Sequence, residues 1–134
     1  MSTEKTLEVI RTFFAKVSSG QSPEAIAESF GPDVDWNIPG ASDIAPWVGK
    51  RKGRDAVAAF YREFGTYLEP IEFNIKTLMA HYEQGVALGS LECVVRSTGK
   101  TITCEFAIEF EVLNEQITRY RFFEDSHGVA VAAQ

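Results

Sequence analysis

The sequence predicts a single α+β domain, in which three helices from the first half of the chain cover the apolar face of an antiparallel β-sheet. Two observations favour this fold. Apolar residues recur at three- and four-residue spacing in the first half, and they alternate with polar residues in the second half. The chain has 134 residues, of which 45% are hydrophobic, and that is enough for one core. We therefore expect residues 1–134 to fold as one domain.

The charge balance and the cysteine content exclude several classes of partner. The formal net charge of −6 would repel a phosphate backbone, so we expect no nucleic-acid partner. The N-terminal sequence MSTEKTLEVI lacks the features of a signal peptide, and no segment has the roughly 18 apolar residues of a membrane span. We therefore expect a cytoplasmic protein without a membrane partner. Two cysteines without metal-type spacing indicate no metal site, and we expect no cofactor.

Three helices are expected in the first half of the chain. The first covers residues 4–18, and its apolar stripe consists of Leu7, Ile10, Phe13, Phe14 and Val17. The second begins after Ser22, because a serine before Pro23 is a typical helix start. The third covers residues 54–67, and Tyr61 lies on its apolar face.

A strand at residues 34–38 and a long loop separate the second helix from the third. Trp36 alternates with acidic residues in this strand, and the loop at residues 39–53 contains Trp47. The basic run at the end of this loop consists of Lys50, Arg51, Lys52 and Arg54. We interpret the run as solvated surface, and an anion site beside the following helix start is the alternative.

The four strands of the second half form a meander whose register follows from the turns and the apolar pattern. A two-residue loop within residues 97–100 places Cys93 opposite Cys104 and Ala87 opposite Phe110. We expect the two cysteines to be buried thiols, because a reducing compartment and an apolar face disfavour a disulfide.

The preceding hairpin is predicted to have a three-residue loop at residues 83–85. This loop places on the apolar face the alternating residues Phe73, Ile75, Thr77, Met79 and His81. A two-residue loop would instead bury Lys76 and Asn74. Because a slip by one residue moves a strand's whole apolar set to the other face, this choice decides which side chains face the core.

The last hairpin is predicted to carry its charged residues on the outer face of the sheet. A three-residue loop at residues 114–116 gives the pairs Phe110–Tyr120, Ile108–Phe122, Glu111–Arg119 and Glu109–Arg121. The last two pairs bring opposite charges together, which favours this register by roughly a few tenths of a kcal/mol per pair. The other register would turn Arg119 and Arg121 into the core.

The order of these elements resembles the SnoaL-like branch of the nuclear transport factor 2-like superfamily. The segments GRDAVAAFYREF, after the basic loop, and ITRYRFFEDSHGVAVA, near the C-terminus, are similar to that family, and the likeness of layout covers nearly the whole chain. The resemblance implies a cone-shaped curved sheet, a cystatin-like α+β barrel, around a pocket for a small apolar molecule. It also implies a homodimer through the outer face of the sheet. Relatives include ketosteroid isomerases, cyclases, epoxide hydrolases and non-catalytic binding domains.

The resemblance also indicates where catalytic residues lie in this family. In the cyclase and epoxide-hydrolase relatives an Asp lies five residues after the Ile that opens the last strand, and Phe122 occupies that position here. In ketosteroid isomerases the base and the proton donor correspond to Ile38 and Ile108 of this chain. A slip by one residue would put Glu109 in the second place, but it would invert the predicted faces of the strand.

Two groups on the predicted inward face are candidates for catalytic proton transfer. His81 would lie in one row with Tyr120, and histidine titrates near neutral pH. Glu124 would lie among apolar side chains of neighbouring strands, where desolvation raises the pKa of a carboxyl group. The alternatives are a half-exposed strand end for His81 and a chain that has already turned outward for Glu124.

The predicted ligand-binding residues are the aromatic and apolar groups Tyr120, Tyr61, Trp36, Trp47, Phe110, Phe122, Phe14 and Met79. Tyr120 and Tyr61 would orient a ligand carbonyl, and Trp47 would form part of a lid. We consider two functions. The first is a cofactor-independent isomerase, cyclase or hydrolase that acts by proton transfer on a polycyclic or terpenoid-like compound. The second is a non-catalytic ligand-binding or dimeric scaffold domain, which the apolar residues at the family's catalytic positions favour.

Overall fold

Four helices and one six-stranded sheet make up the α+β fold, and the computed structural model describes residues 1–134. The helices are α1 (Thr3–Ser18), α2 (Pro23–Ala27), α3 (Arg54–Tyr67) and α4 (Ser126–Ala133). The strands are β1 (Phe30–Ile38), β2 (Gly49–Lys52), β3 (Leu68–His81), β4 (Gln84–Val95), β5 (Thr101–Leu113) and β6 (Gln116–Phe123). None of the four helices combines the length and the apolar character that crossing a membrane requires.

The sheet is curved and open, with the strand order β2-β1-β6-β5-β4-β3. Neighbouring strands are antiparallel except β1 and β6, which run parallel. The helices α1 and α3 lie against its inner face, where Ile10, Phe13, Val57 and Phe60 are buried. The predicted α+β architecture is confirmed.

The helix starts follow the local sequence signals. Ser22 caps α2 through its Oγ, which accepts a hydrogen bond from the backbone N–H of Ala25 at 3.1 Å. The helix α3 has the predicted bounds and follows Gly53, which adopts a φ of 90°. The helix α4 was not predicted. Its N-cap is Asp125, whose carboxylate accepts a hydrogen bond from the Gly128 N–H at 3.0 Å.

The register of the last hairpin is confirmed. Phe110 lies opposite Tyr120, and Glu111 lies opposite Arg119. The turn itself contains two residues, Asn114 and Glu115, instead of the three predicted. A bulge between Glu111 and Val112 shifts the pairing by one residue, which restores the predicted pairs.

The predicted register of the central hairpin is wrong by two residues. Leu91, not Cys93, lies opposite Cys104, because residues 96–100 form a five-residue connection closed by a Val95 N–H to Lys100 C=O hydrogen bond of 2.8 Å. A slip by two residues keeps every side chain on its predicted face. Both cysteines are free thiols on the inner face, and Cys93 is buried as expected, whereas Cys104 is only partly buried.

The predicted faces of the end of β3 are wrong. Its turn contains only Tyr82 and Glu83, so Leu78 faces inward opposite Ala87, while Thr77, Met79 and His81 lie on the outer face. A bulge between Ile75 and Thr77 leaves Lys76 unpaired and returns the first half of the strand to the expected faces. The two-residue turn therefore does not bury Lys76.

The basic run forms an edge strand instead of the end of a loop. Residues 49–52 make up β2, which pairs with β1. The guanidinium of Arg51 lies 5.4 Å from the ring centre of Phe60 and donates a hydrogen bond to the Ala56 carbonyl at 3.2 Å. Arg54 donates to the Phe30 carbonyl at 2.9 Å. Two of the four cations therefore stabilise the junction between the sheet and α3 rather than facing solvent.

Candidate functional site

Three polar side chains, which we call the inner polar cluster, lie on the helix-covered side of the sheet: Tyr61, Tyr120 and Glu124. Tyr61 comes from α3, Tyr120 from β6, and Glu124 follows the end of β6 directly. The rings of Tyr120 and Trp36 stack at a centroid distance of 4.1 Å, and Tyr61 meets the same indole edge-on at 6.0 Å. The cluster therefore combines residues from the sheet and from a covering helix.

None of the three side chains has a hydrogen-bond or ion-pair partner within the protein. The only fully shielded side-chain polar atom without a partner is the indole Nε1 of Trp36. The two hydroxyls and the carboxylate therefore contact accessible space. Because buried polar groups in native proteins are almost always hydrogen-bonded, such a set is typical of groups that bind water or a ligand.

Glu124 has its pKa raised to about 7, first by desolvation and then by the negative charge of Asp125. This side chain is partly buried, and the carboxylate has no cation beside it. A carboxyl group that titrates near neutral pH can accept a proton in one step and return it in the next.

The two phenols remain protonated and act as hydrogen-bond donors. Burial raises the pKa of Tyr61, and burial raises the pKa of Tyr120 well above its ordinary value, with smaller contributions from Tyr61 and Glu124. Neither hydroxyl can therefore serve as a base near neutral pH. Each can donate a hydrogen bond to an oxygen on a ligand.

The thiols near the cluster are not activated nucleophiles. Desolvation, assisted by Glu124 and Cys104, raises the pKa of Cys93 to about 11. The pKa of Cys104 is also raised, mainly by burial. Because the thiolate is the reactive form, a raised pKa disfavours either thiol as a nucleophile at neutral pH.

Aromatic rings extend the inner face from the cluster toward the rim of the sheet. Phe106 stacks on Phe122 and on Phe73, each at a centroid distance of 4.9 Å. Phe73 is 46% exposed, whereas Phe106 and Phe122 are buried. These stacked rings offer flat apolar surface beside the three polar groups. Sequence alternation already placed Phe73 and Phe106 on this face, although neither was among the predicted ligand-binding residues.

The other predicted ligand-binding residues differ in exposure. Phe14 is partly buried and lies 5.8 Å from Phe110, while Phe110 and Trp36 are fully buried core residues. Trp47 is also buried, with its ring 5.9 Å from Tyr67. Of these, only Phe14 retains surface that a ligand can reach without a change in structure.

The structure separates two predicted site residues from the cluster. His81 lies on the outer face opposite Gln84, in the row that continues to Glu111 and Arg119, and it is exposed. Met79 is also on the outer face and is 50% exposed. Their predicted inward orientation is wrong, because the β3 turn is one residue shorter than expected.

The positions that carry catalytic groups in the resembled family are apolar and buried. Ile38, Ile108 and Phe122 have relative exposures of 5%, 0% and 8%. Glu109 faces outward and binds the Nε of Arg119 at 2.6 Å, which excludes the one-residue slip that would bring it inside. The structure contains no group of three or more His, Cys, Asp or Glu residues that could hold a metal ion.

Comparison with known proteins identifies the family and the fold of this chain. A family model for the SnoaL-like domain matches residues 10–120. The comparison with curated proteins gives no match. An NTF2-like protein from Burkholderia xenovorans LB400 superposes with a TM-score of 0.89 at 24% identity, covering 100% of this chain and 99% of that chain.

Two further solved structures share the fold. The protein TerC, crystallised with polyporic acid, has a TM-score of 0.82 at 20% identity, with coverage of 96% of this chain and 98% of that chain. A candidate polyketide cyclase from Xanthomonas campestris pv. campestris has a TM-score of 0.78 at 14% identity, with both chains covered completely. At these identities the likeness establishes the fold alone.

Proposed function

This chain belongs to the SnoaL-like domain family, and on that premise we propose that it binds an apolar carbonyl compound and moves a proton on it without a cofactor. The inner polar cluster is the site of this activity. The single observation that carries the proposal is that Glu124, Tyr61 and Tyr120 are all without partners in an otherwise aromatic interior.

The proposed reaction assigns one role to each polar group. The Glu124 carboxylate takes a proton from the carbon next to the ligand carbonyl, and the resulting carboxylic acid returns it to the same or another carbon. Tyr61 and Tyr120 donate hydrogen bonds to the carbonyl oxygen, on which negative charge develops as the proton leaves. In this proposal the inner polar cluster contacts both the carbonyl oxygen and the carbon that loses its proton.

The surroundings of the cluster favour a flat, largely hydrocarbon ligand. The stacked rings of Phe73, Phe106 and Phe122 supply apolar surface, and no cation lies beside Glu124. TerC was crystallised with polyporic acid, which makes that compound a reasonable first ligand to test by titration.

Hydrogen–deuterium exchange in a simple bicyclic ketone tests the reaction. We expect the protein to accelerate exchange of the protons next to the carbonyl of 2-tetralone in D₂O, as followed by NMR. Glu124→Gln should lower the accelerated rate by roughly 100-fold or more, because a general base typically contributes about 10²–10⁴. Tyr120→Phe should also lower it, by roughly 100-fold, because one donor to the developing oxyanion is lost.

His81→Ala is the matched control for this experiment. Since His81 lies on the outer face, its replacement should leave the exchange rate unchanged. Exchange that persists in Glu124→Gln and disappears in His81→Ala would reverse the assignment of the base.

Non-catalytic binding is the second candidate function. It is favoured by the hydrocarbon side chains of Ile38, Ile108 and Phe122 at the family's catalytic positions. In that case the protein binds apolar carbonyl compounds, and Tyr120→Phe weakens that binding, but the wild-type protein gives no exchange above the buffer rate.

We also propose that the chain forms a homodimer through the outer face of the sheet. Three apolar side chains are exposed there, Met79 at 50%, Leu88 at 37% and Phe123 at 48%. A depression of about 530 Å³ crosses this face along the row Thr77, Leu88, Ala107 and Phe123, and Lys76, Glu105 and Glu124 also line it. Isolated apolar residues are common on surfaces, but a contiguous row is typical of an interface.

Sedimentation equilibrium tests the dimer. We expect a species of twice the 14.9 kDa chain mass, and Phe123→Glu should shift it to the monomer, because a charge would be buried without a partner. Val131→Glu, which changes an equally exposed residue on α4, should leave the dimer intact. A wild-type monomer at micromolar concentration would contradict the proposal.

A further inference from the structure

A second depression lies between α1 and the middle of β3, and we call it the α1–β3 depression. Its volume is about 410 Å³, and its lining residues are Arg11, Phe14, Ile75, Lys76, Thr77 and Leu78. None of Tyr61, Tyr120 and Glu124 lines it. The lining of the α1–β3 depression therefore does not include the inner polar cluster, although Phe14 lies 6.5 Å from the Phe73 ring beside that cluster.

The β3 bulge creates this depression. In a regular strand, side chains alternate, so Ile75 and Leu78 would point to opposite faces. The bulge at Lys76 lets Ile75 lie opposite Gly89 and Leu78 lie opposite Ala87, so both contribute to the inner face. Bulges that re-aim side chains in this way are over-represented beside functional sites.

The lining of the α1–β3 depression combines three apolar side chains with two cationic ones. Phe14, Ile75 and Leu78 supply hydrocarbon, and each of the three packs against the core. Arg11 forms no ion pair. The ammonium of Lys76 lies 3.8 Å from Glu105 on the outer face, so it joins Arg11 only by leaving this exposed contact. Such an exposed contact contributes little and is easily exchanged for another anion. No carboxylate lines the depression, although the chain as a whole carries a net charge of −6.

We propose that the α1–β3 depression binds an apolar compound that carries one acidic group. The hydrocarbon body lies on Phe14, Ile75 and Leu78, and the carboxylate or sulfonate lies between Arg11 and Lys76. The volume accommodates a ligand of two or three fused or linked rings. This proposal does not depend on the reaction assigned to the inner polar cluster.

A pair of fluorescent probes that differ in charge tests the inference. 1-Anilinonaphthalene-8-sulfonate carries a sulfonate, and N-phenyl-1-naphthylamine has the same ring system without it. We expect the double variant Arg11→Gln/Lys76→Gln to weaken binding of the sulfonate by about tenfold, because two exposed ion pairs are lost. Binding of the neutral probe should stay unchanged, and added salt should weaken only the sulfonate.

Two control variants make the result decisive. Lys50→Gln removes an exposed cation on β2 that forms no ion pair, and it should leave sulfonate binding intact. Glu124→Gln should also leave it intact, which separates this site from the inner polar cluster. Equal sulfonate affinity in the wild type and the double variant overturns the proposal. So does an equal loss for both probes, or a loss of sulfonate binding in Glu124→Gln.

Discussion

Replacing Glu124 by Gln should make the protein more stable than the wild type at pH 8.5, and the gain should fall to about a quarter of that at pH 5. The folded-state pKa of Glu124 is about 7, against an ordinary value of 4.5. The folded protein therefore holds this proton more tightly than the unfolded chain, and stability falls as the pH rises from about 4.5 to about 7. The loss amounts to about 3 kcal/mol at full ionisation, and Gln removes it.

Urea unfolding at a series of pH values measures this effect as the difference between the variant and the wild type. Asp35, Glu24 and Glu83 have lowered pKa values, so their contributions change below this window and are common to both proteins. Glu69→Gln, which changes an exposed carboxylate on β3, is the control for the Glu-to-Gln substitution itself. A stability difference for Glu124→Gln that is equal at pH 5 and pH 8.5 would falsify the raised pKa.

This variant also separates stability from activity. A carboxylate that destabilises the folded protein persists in sequences when it performs a task, and replacing it then gives a more stable but less active protein. Glu124→Gln should therefore gain stability at pH 8.5 and lose ketone exchange at the same pH. A gain in stability without a loss of exchange would show that the Glu124 carboxylate destabilises the protein but is not the catalytic base.

Helix bounds and strand register were predicted correctly where two independent sequence signals agreed. The bounds of α3 were predicted correctly because the apolar stripe of residues 54–67 and Pro70, which cannot continue a helix, indicate the same segment. The register of β5 with β6 was predicted correctly because both the apolar pairs and the opposite charges of Glu109 and Arg121 favour it. Glu124 was placed among apolar groups by this register, and its raised pKa agrees with that placement.

Strand register and strand faces were predicted wrongly where the alternation of apolar and polar residues was the only sequence signal. A slip of two residues between β4 and β5 preserves both faces, so the apolar pattern cannot exclude it. On β3 the bulge at Lys76 changes the faces partway along the strand, and alternation assumes that no such change occurs. His81 and Met79 were misplaced for this reason. The depression beside Lys76 could not be predicted, because the bulge itself creates it.

The second large effect on stability is expected when Gly89 is replaced by alanine. A Cβ atom built on this residue would overlap the backbone carbonyl of Asn74 and would lie 2.6 Å from Cζ of Phe106. The Phe106 ring can turn, but the Asn74 carbonyl belongs to the bulged strand and cannot move alone. We therefore expect Gly89→Ala to destabilise the protein by about 3 kcal/mol, the upper part of the range for overpacking.

Gly65→Ala is the matched control, because the same substitution should have the opposite sign there. Gly65 lies within α3, and no atom lies within 4 Å of the position that a Cβ would take, so alanine gains helix propensity of about 0.5–1 kcal/mol. Urea unfolding with unchanged m-values measures both differences. Because Gly89 pairs with Ile75, directly before the bulge, Gly89→Ala should also weaken sulfonate binding at the α1–β3 depression. If Gly89→Ala retains both stability and sulfonate binding, the bulge does not control the shape of that site.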